Sequence, residues 1–139
     1  MGSDKTMCWN GWLHLLLLNS LLIITTAGFR LVKFDVPRFA VLGSDVTLIC
    51  QFDLGGDRLY SVKWYKEHVE FYRYIPSGWP MMQTAYQIEG ATVDLARSDD
   101  QRLHLRNIIL SSEGNYRCEV SIEAPSFQTF TKTGVMQVI

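Results

Sequence analysis

The stretch GNYRCEVSI, residues 114–122, alternates from its third position: Tyr116, Cys118, Val120 and Ile122 fall on one side, Arg117, Glu119 and Ser121 on the other. Strand side chains point to opposite faces with a period of two, so this reads as a strand with one apolar face. In DVTLICQF, residues 45–52, Val46, Leu48, Cys50 and Phe52 likewise share a face. Both rows want the interior and each carries a cysteine, which places a Cys50–Cys118 disulfide between two packed sheets.

From Phe29 onward the chain is a series of short apolar runs cut by turn residues, with no sustained helical period. That is the pattern of an all-β sandwich. The expected strands are LVKFDV, RFAVL, DVTLICQF, LYSVKWYK, EFYRYI, ATVDLA, RLHLRNI, GNYRCEVSI and FQTFTKTGVMQVI. Between them lie Gly43 and the turn segments DLGGD, PSGWP, RSDD and SSEG.

The N-terminus is of another kind. Lys5 precedes an apolar run over 13–24, and Thr25 and Ala27 are small residues before a cut at Gly28, so residues 1–27 read as a secretory signal peptide. The run is shorter than the roughly 20 residues of a spanning helix and contains His14 and Asn19. No apolar tail or lipid-anchor signal closes the sequence, so no transmembrane segment is expected in this chain. The remainder, 139 − 27 = 112 residues, is one domain's worth, expected over 28–139. Cys8 leaves with the leader, and two cysteines in a secreted chain predict a bridge.

The formal net charge of −1 is scattered, which argues against nucleic acid or an anionic membrane as partner. No phosphate loop, metal-ligand spacing or catalytic triad is visible, so no enzyme, cofactor, metal or small-molecule substrate is expected. Asp99 and Asp100 near His104 form the only cluster of acid and histidine, and a solvated turn accounts for it.

Trp64 lies fourteen residues after Cys50, and Tyr116 two before Cys118. A tryptophan against the bridge and a tyrosine at the turn into the second cysteine strand are marks of the immunoglobulin sandwich. EGNYRCEV resembles that family's Gly-x-Tyr-x-Cys turn, with Gly114, Tyr116 and Cys118 in place. Ser112 stands where variable-type domains usually carry an Asp paired with a base on an opposing strand; a Ser hydroxyl there is suited to capping the turn instead. EFYRYI and the segment through MMQTAYQI, inserted between the cysteines, favour the variable type.

GDRLYSVKWYKEHVEFYRYIP together with RCEVSIEAPSF resembles the first domain of the beaten path family, over most of the chain from Phe29. The resemblance implies a secreted protein, or one on the extracellular face of the plasma membrane, that acts in axon guidance and neuronal adhesion. Its implied partner is a sidestep-like immunoglobulin protein of the cell surface. Family members usually carry a second immunoglobulin domain, which this sequence does not include. The other reading is a structural or immune-type immunoglobulin module with a different protein partner.

An immunoglobulin fold does not specify a function, so a site has to come from residues. In LYSVKWYK, Tyr60, Val62 and Trp64 share one face, and Ser61, Lys63 and Tyr65 the other. A turn at 67–70, or at His68 and Val69, sets Tyr65 opposite Tyr72 and Lys63 opposite Tyr74, all outward, with Phe71 inward near Trp64. A three-residue turn reverses the second half. Arg73 is then the misfit, directed inward. The expected partner-binding face is Lys63, Tyr65, Tyr72, Tyr74, Arg117 and Glu119, since Tyr and Arg are enriched in interface hot spots. Two loops are further candidates: EAPSF, 123–127, beside that face, and GWPMM, 78–82, whose Trp79 and Met81 are expected to cover an edge of the core.

Overall fold

A computed structural model describes residues 28–139. The expected leader, residues 1–27, lies outside the described residues. Ten strands form two sheets: β1 (Arg30–Asp35), β2 (Phe39–Ala40), β3 (Val46–Asp53), β4 (Leu59–Lys66), β5 (Val69–Tyr74), β6 (Gln83–Ala85), β7 (Thr92–Val93), β8 (Arg102–Arg106), β9 (Gly114–Ile122) and β10 (Thr129–Val138). One sheet runs β1-β3-β8-β7, the other β2-β10-β9-β4-β5-β6. This is the expected all-β sandwich of variable type, with β5 and β6 extending the larger sheet. Pairing is antiparallel except between β2 and β10. No helix among the described residues is long and apolar enough to cross a membrane.

The two alternating rows meet as the sequence predicts. Leu48, Cys50 and Phe52 of β3 face Tyr116, Cys118, Val120 and Ile122 of β9, all buried. Cys50 and Cys118 are bonded, their Cα atoms 6.4 Å apart. Trp64 sits opposite Cys118 in the β4–β9 register, and Phe34 of β1 stacks on it with ring centroids 6.2 Å apart. The Tyr116 hydroxyl donates to the Ser112 carbonyl, closing the turn into β9, and burial raises its pKa. Ser112 takes the capping role: its Oγ accepts from the Ile109 N–H at 2.9 Å.

An ion pair between a buried carboxylate and an exposed guanidinium stands at the edge of the smaller sheet. Asp94 interrupts the expected strand ATVDLA after Val93, because its carboxylate accepts from the Ala96 N–H at 3.1 Å and turns the chain into a short 3-10 segment, Leu95–Arg97. Arg106 of β8 bonds the same carboxylate through Nη2 at 2.7 Å and Nε at 3.0 Å. That guanidinium holds the Asp94 pKa below the ordinary carboxylate value.

Asp45 is held low mainly by the Asn107 N–H, and Glu67 by the Asn115 N–H. A carboxylate whose pKa is depressed by folding contributes stability above its unfolded pKa and loses it as pH falls toward the folded value. The melting temperature is therefore expected to be level down to about pH 5 and to fall below about pH 4. Arg106→Gln is expected to flatten that acid limb. Thermal unfolding followed by circular dichroism between pH 7 and pH 3 checks both, and an acid limb unchanged in the variant would remove the Asp94–Arg106 pair as its source.

Candidate functional site: the outward face of the larger sheet

The hairpin between β4 and β5 decides which side chains reach the surface. Its turn is Glu67–His68, both with positive φ (47° and 69°), so Lys66 pairs with Val69 and Tyr65 with Glu70. A bulge then inserts Phe71 as an extra residue, and the register resumes with Trp64 opposite Tyr72, Lys63 opposite Arg73 and Val62 opposite Tyr74. One extra residue exchanges the two faces for everything beyond it.

Tyr72 and Tyr74 therefore do not join Tyr65 on the outside. Tyr72 is 0% exposed. Its hydroxyl donates to the Asp99 carbonyl at 3.0 Å and accepts from Gln83 Nε2 at 3.0 Å, and burial pushes its pKa up to about 12. Tyr74 is half-buried and packs against the core. Arg73, the misfit of the parity argument, turns outward beside Lys63. A second bulge, between Leu59 and Ser61, turns Tyr60 out, leaving it 51% exposed rather than in the core. Val62, Trp64 and Phe71 are buried as expected.

Two rows of side chains cross the outward face. The first runs Thr133, Arg117, Tyr65, Glu70 across β10, β9, β4 and β5. The second runs Thr131, Glu119, Lys63, Arg73 and reaches Thr84 on β6. Lys63, Tyr65, Arg117 and Glu119 are thus brought together, each partly buried.

The Arg117 guanidinium lies over the Tyr65 ring, its Cζ 4.4 Å from the centroid, and the Tyr65 hydroxyl donates to Glu119 Oε1 at 3.3 Å. Burial, then the Glu119 charge, raises the Tyr65 pKa, so the phenol stays a neutral donor. Arg73 and Glu70 form a bidentate pair at 2.9 and 3.0 Å, and Arg73 also sits over Tyr86 with Cζ 6.0 Å from the ring centroid. A stacked, hydrogen-bonded aromatic among charges is a rigid amphipathic contact surface. Glu70, Arg73 and Tyr86 are the members that sequence reasoning missed; the inward placement of Arg73 was the signal that a bulge had to intervene.

The remaining candidates fall apart or move out. His104 bonds Thr47 Oγ1 at 3.1 Å and Asp45 at 3.2 Å, while Asp99 Oδ1 accepts from the N–H groups of Gln101 and Arg102, so the Asp99, Asp100 and His104 cluster is not assembled. Trp79 is 91% exposed and Met81 is exposed, so this loop presents apolar surface instead of covering the core. Phe127, in the loop joining β9 to β10, is also exposed.

Comparison with known proteins is in keeping with this geometry. Residues 36–133 match the family described as Immunoglobulin domain. The chain is 35% identical over 85 residues to Tapasin-related protein of Mus musculus, covering 58% of this chain and 19% of that protein's length. Among solved structures it is similar to the V domain of amphioxus IgVJ-C2, at 18% identity, with 73% of this chain and 98% of that one covered and a TM-score of 0.59. It is also similar to Dpr1 IG1, solved bound to DIP-eta IG1, at 14% identity, with 83% and 99% covered and a TM-score of 0.57.

Proposed function

The chain belongs to the immunoglobulin domain family, and from that premise we propose that it is a recognition protein of the beaten path type, secreted or held at the outer surface of the cell. Its partner is a sidestep-like immunoglobulin protein, met in axon guidance and neuronal adhesion, and the docking face is the outward side of the larger sheet. The observation that carries the reading is the Tyr65–Arg117 stack, partly buried, hydrogen-bonded to Glu119 and fixed before any partner arrives. Side chains already ordered lose little entropy on binding. The resemblance of residues 56–76 and 117–127 to the beaten path family supports the partner class, as does Dpr1 IG1, which is solved bound to another IG1. The disulfide fits an oxidising compartment.

A structural or immune-type module with a different protein partner is the second reading, since the similarity to Tapasin-related protein does not point to a sidestep-like partner. One experiment separates the two: the full chain, secreted as a tagged pentamer, is screened against sidestep-like and other immunoglobulin ectodomains. A saturable, selective hit among the sidestep-like proteins is expected. Tyr65→Ala is expected to weaken it by about 30-fold, the effect of losing a hot-spot aromatic, while the domain stays folded. Binding confined to other ectodomains would favour the second reading, and binding indifferent to Tyr65→Ala would place the docking face elsewhere.

A further inference from the structure

The charges of the docking face are not equally engaged, and this asymmetry bears on what the face accepts. Both carboxylates are in use. Glu70 holds Arg73 in a bidentate pair, and Glu119 accepts from the Tyr65 hydroxyl while facing Lys63 across the strands. The cations are a different matter. Among the described residues Arg117 donates no hydrogen bond and makes no ion pair; it is held by the Tyr65 ring, and its Nε is buried without a partner. Lys63, one register step away beside Glu119, makes no ion pair among the described residues either.

A buried donor without an acceptor is a cost to the free domain, and native structures carry few of them. Arginine fixed by stacking has given up its side-chain freedom yet keeps its planar fork of donors, the geometry that matches a carboxylate in two bonds. Lysine beside it adds a point charge. The free valences of this face are thus cationic, although the formal charge of the chain is −1.

We propose that Arg117, on its Tyr65 platform, determines the specificity of the face, and that it takes a carboxylate: the partner is a protein that sets an Asp or Glu side chain over Arg117 with Lys63 beside it. This rests on the docking reading above and names its chemistry. A second copy of this chain is the wrong occupant, because the carboxylates on its matching face are already bonded within it and its free groups are the same two cations.

The test needs no identified partner. The isotope-labelled full chain, in secreted form, is titrated with the end-capped peptide Gly-Glu-Asp-Glu-Gly and, separately, with Gly-Gln-Asn-Gln-Gly at matched ionic strength, and nitrogen–proton and aromatic resonances are followed. Saturable shifts centred on Arg117, Tyr65 and Lys63 are expected for the acidic peptide alone. Arg117→Gln is expected to weaken that response by about tenfold or more, Arg117→Lys by less, and Arg73→Gln by no more than about twofold. An equal response to the amide peptide, no saturable response, or an unaltered response in Arg117→Gln would overturn the assignment. So would dimerisation in sedimentation that Arg117→Gln abolishes, which would make a second copy the occupant.

The two proposals fail separately. If the ectodomain screen is empty while the acidic peptide titrates, the sidestep-like partner falls and the docking face with its carboxylate specificity stands. A selective ectodomain hit indifferent to Arg117→Gln keeps the docking face and removes this inference.

Discussion

Replacing Tyr72 with alanine is expected to lower the stability of the domain by about 3–5 kcal/mol, the range for truncating a buried aromatic. The ring is wholly enclosed, and Phe71 beside it packs edge-on against Tyr116 at 6.0 Å, so a void at position 72 opens within the core. Tyr72→Phe separates ring from hydroxyl. It leaves the Asp99 carbonyl without its donor, while Gln83 keeps its 2.6 Å bond to the Ser98 carbonyl, and a loss of about 1–2 kcal/mol is expected. Urea unfolding of both variants checks the pair. An alanine variant as stable as the parent would return Tyr72 to the surface and remove the bulge at Phe71 from the account.

The second large effect concerns the bridge. Cys50 and Cys118 enclose a sequence separation of 68 residues. Closing a loop of that length restricts the unfolded chain by about 4 kcal/mol in the chain-entropy account. Against the roughly 5–15 kcal/mol that holds a small domain together, the Cys50→Ala, Cys118→Ala double variant is expected to sit near the edge of folding at 37 °C. Alanine is the right replacement because both positions are buried and a serine hydroxyl there would lack a partner. A urea midpoint that falls by the equivalent of less than about 1 kcal/mol would show that the packed rows of β3 and β9 hold the sheets together without the bridge.

These two expectations mark what the chain does and does not disclose before it is folded. The rows of β3 and β9 were legible because their alternation is unbroken and each residue's side follows from parity. β4 was delimited correctly at Leu59–Lys66, yet the fates of Tyr60, Tyr72 and Tyr74 were not, because a bulge shifts parity by one residue and has no composition of its own. The turn compounded this: Glu67 and His68 adopt positive φ without the Asn-Gly or Gly signal that marks such turns. Four members of the proposed docking face, Lys63, Tyr65, Arg117 and Glu119, lie on strands whose parity survives as far as those residues. Arg73 lies beyond the bulge at Phe71, Glu70 lies before it in what was expected to be the turn, and Tyr86 follows the short β6. The Asp94 turn was hidden for a different reason: ATVDLA reads as a strand, and only the carboxylate's reach to the Ala96 N–H stops it.

The parallel contact of β2 with β10 has a mechanical meaning. Three backbone bonds tie the segment around β2 to the last strand, from Gln137 to Arg38, Ile139 to Ala40 and Leu42 to Ile139. Tension applied at the two ends of the domain draws these parallel segments in opposite directions along their length, so the bonds are loaded in shear and must yield together. Once they part, the load passes to the pairings of β1 with β3 and of β10 with β9, which must open before the chain outside the cysteines lengthens, while the loop between Cys50 and Cys118 stays locked by its covalent crosslink. A domain built this way gives under load by a short, defined length and then stops.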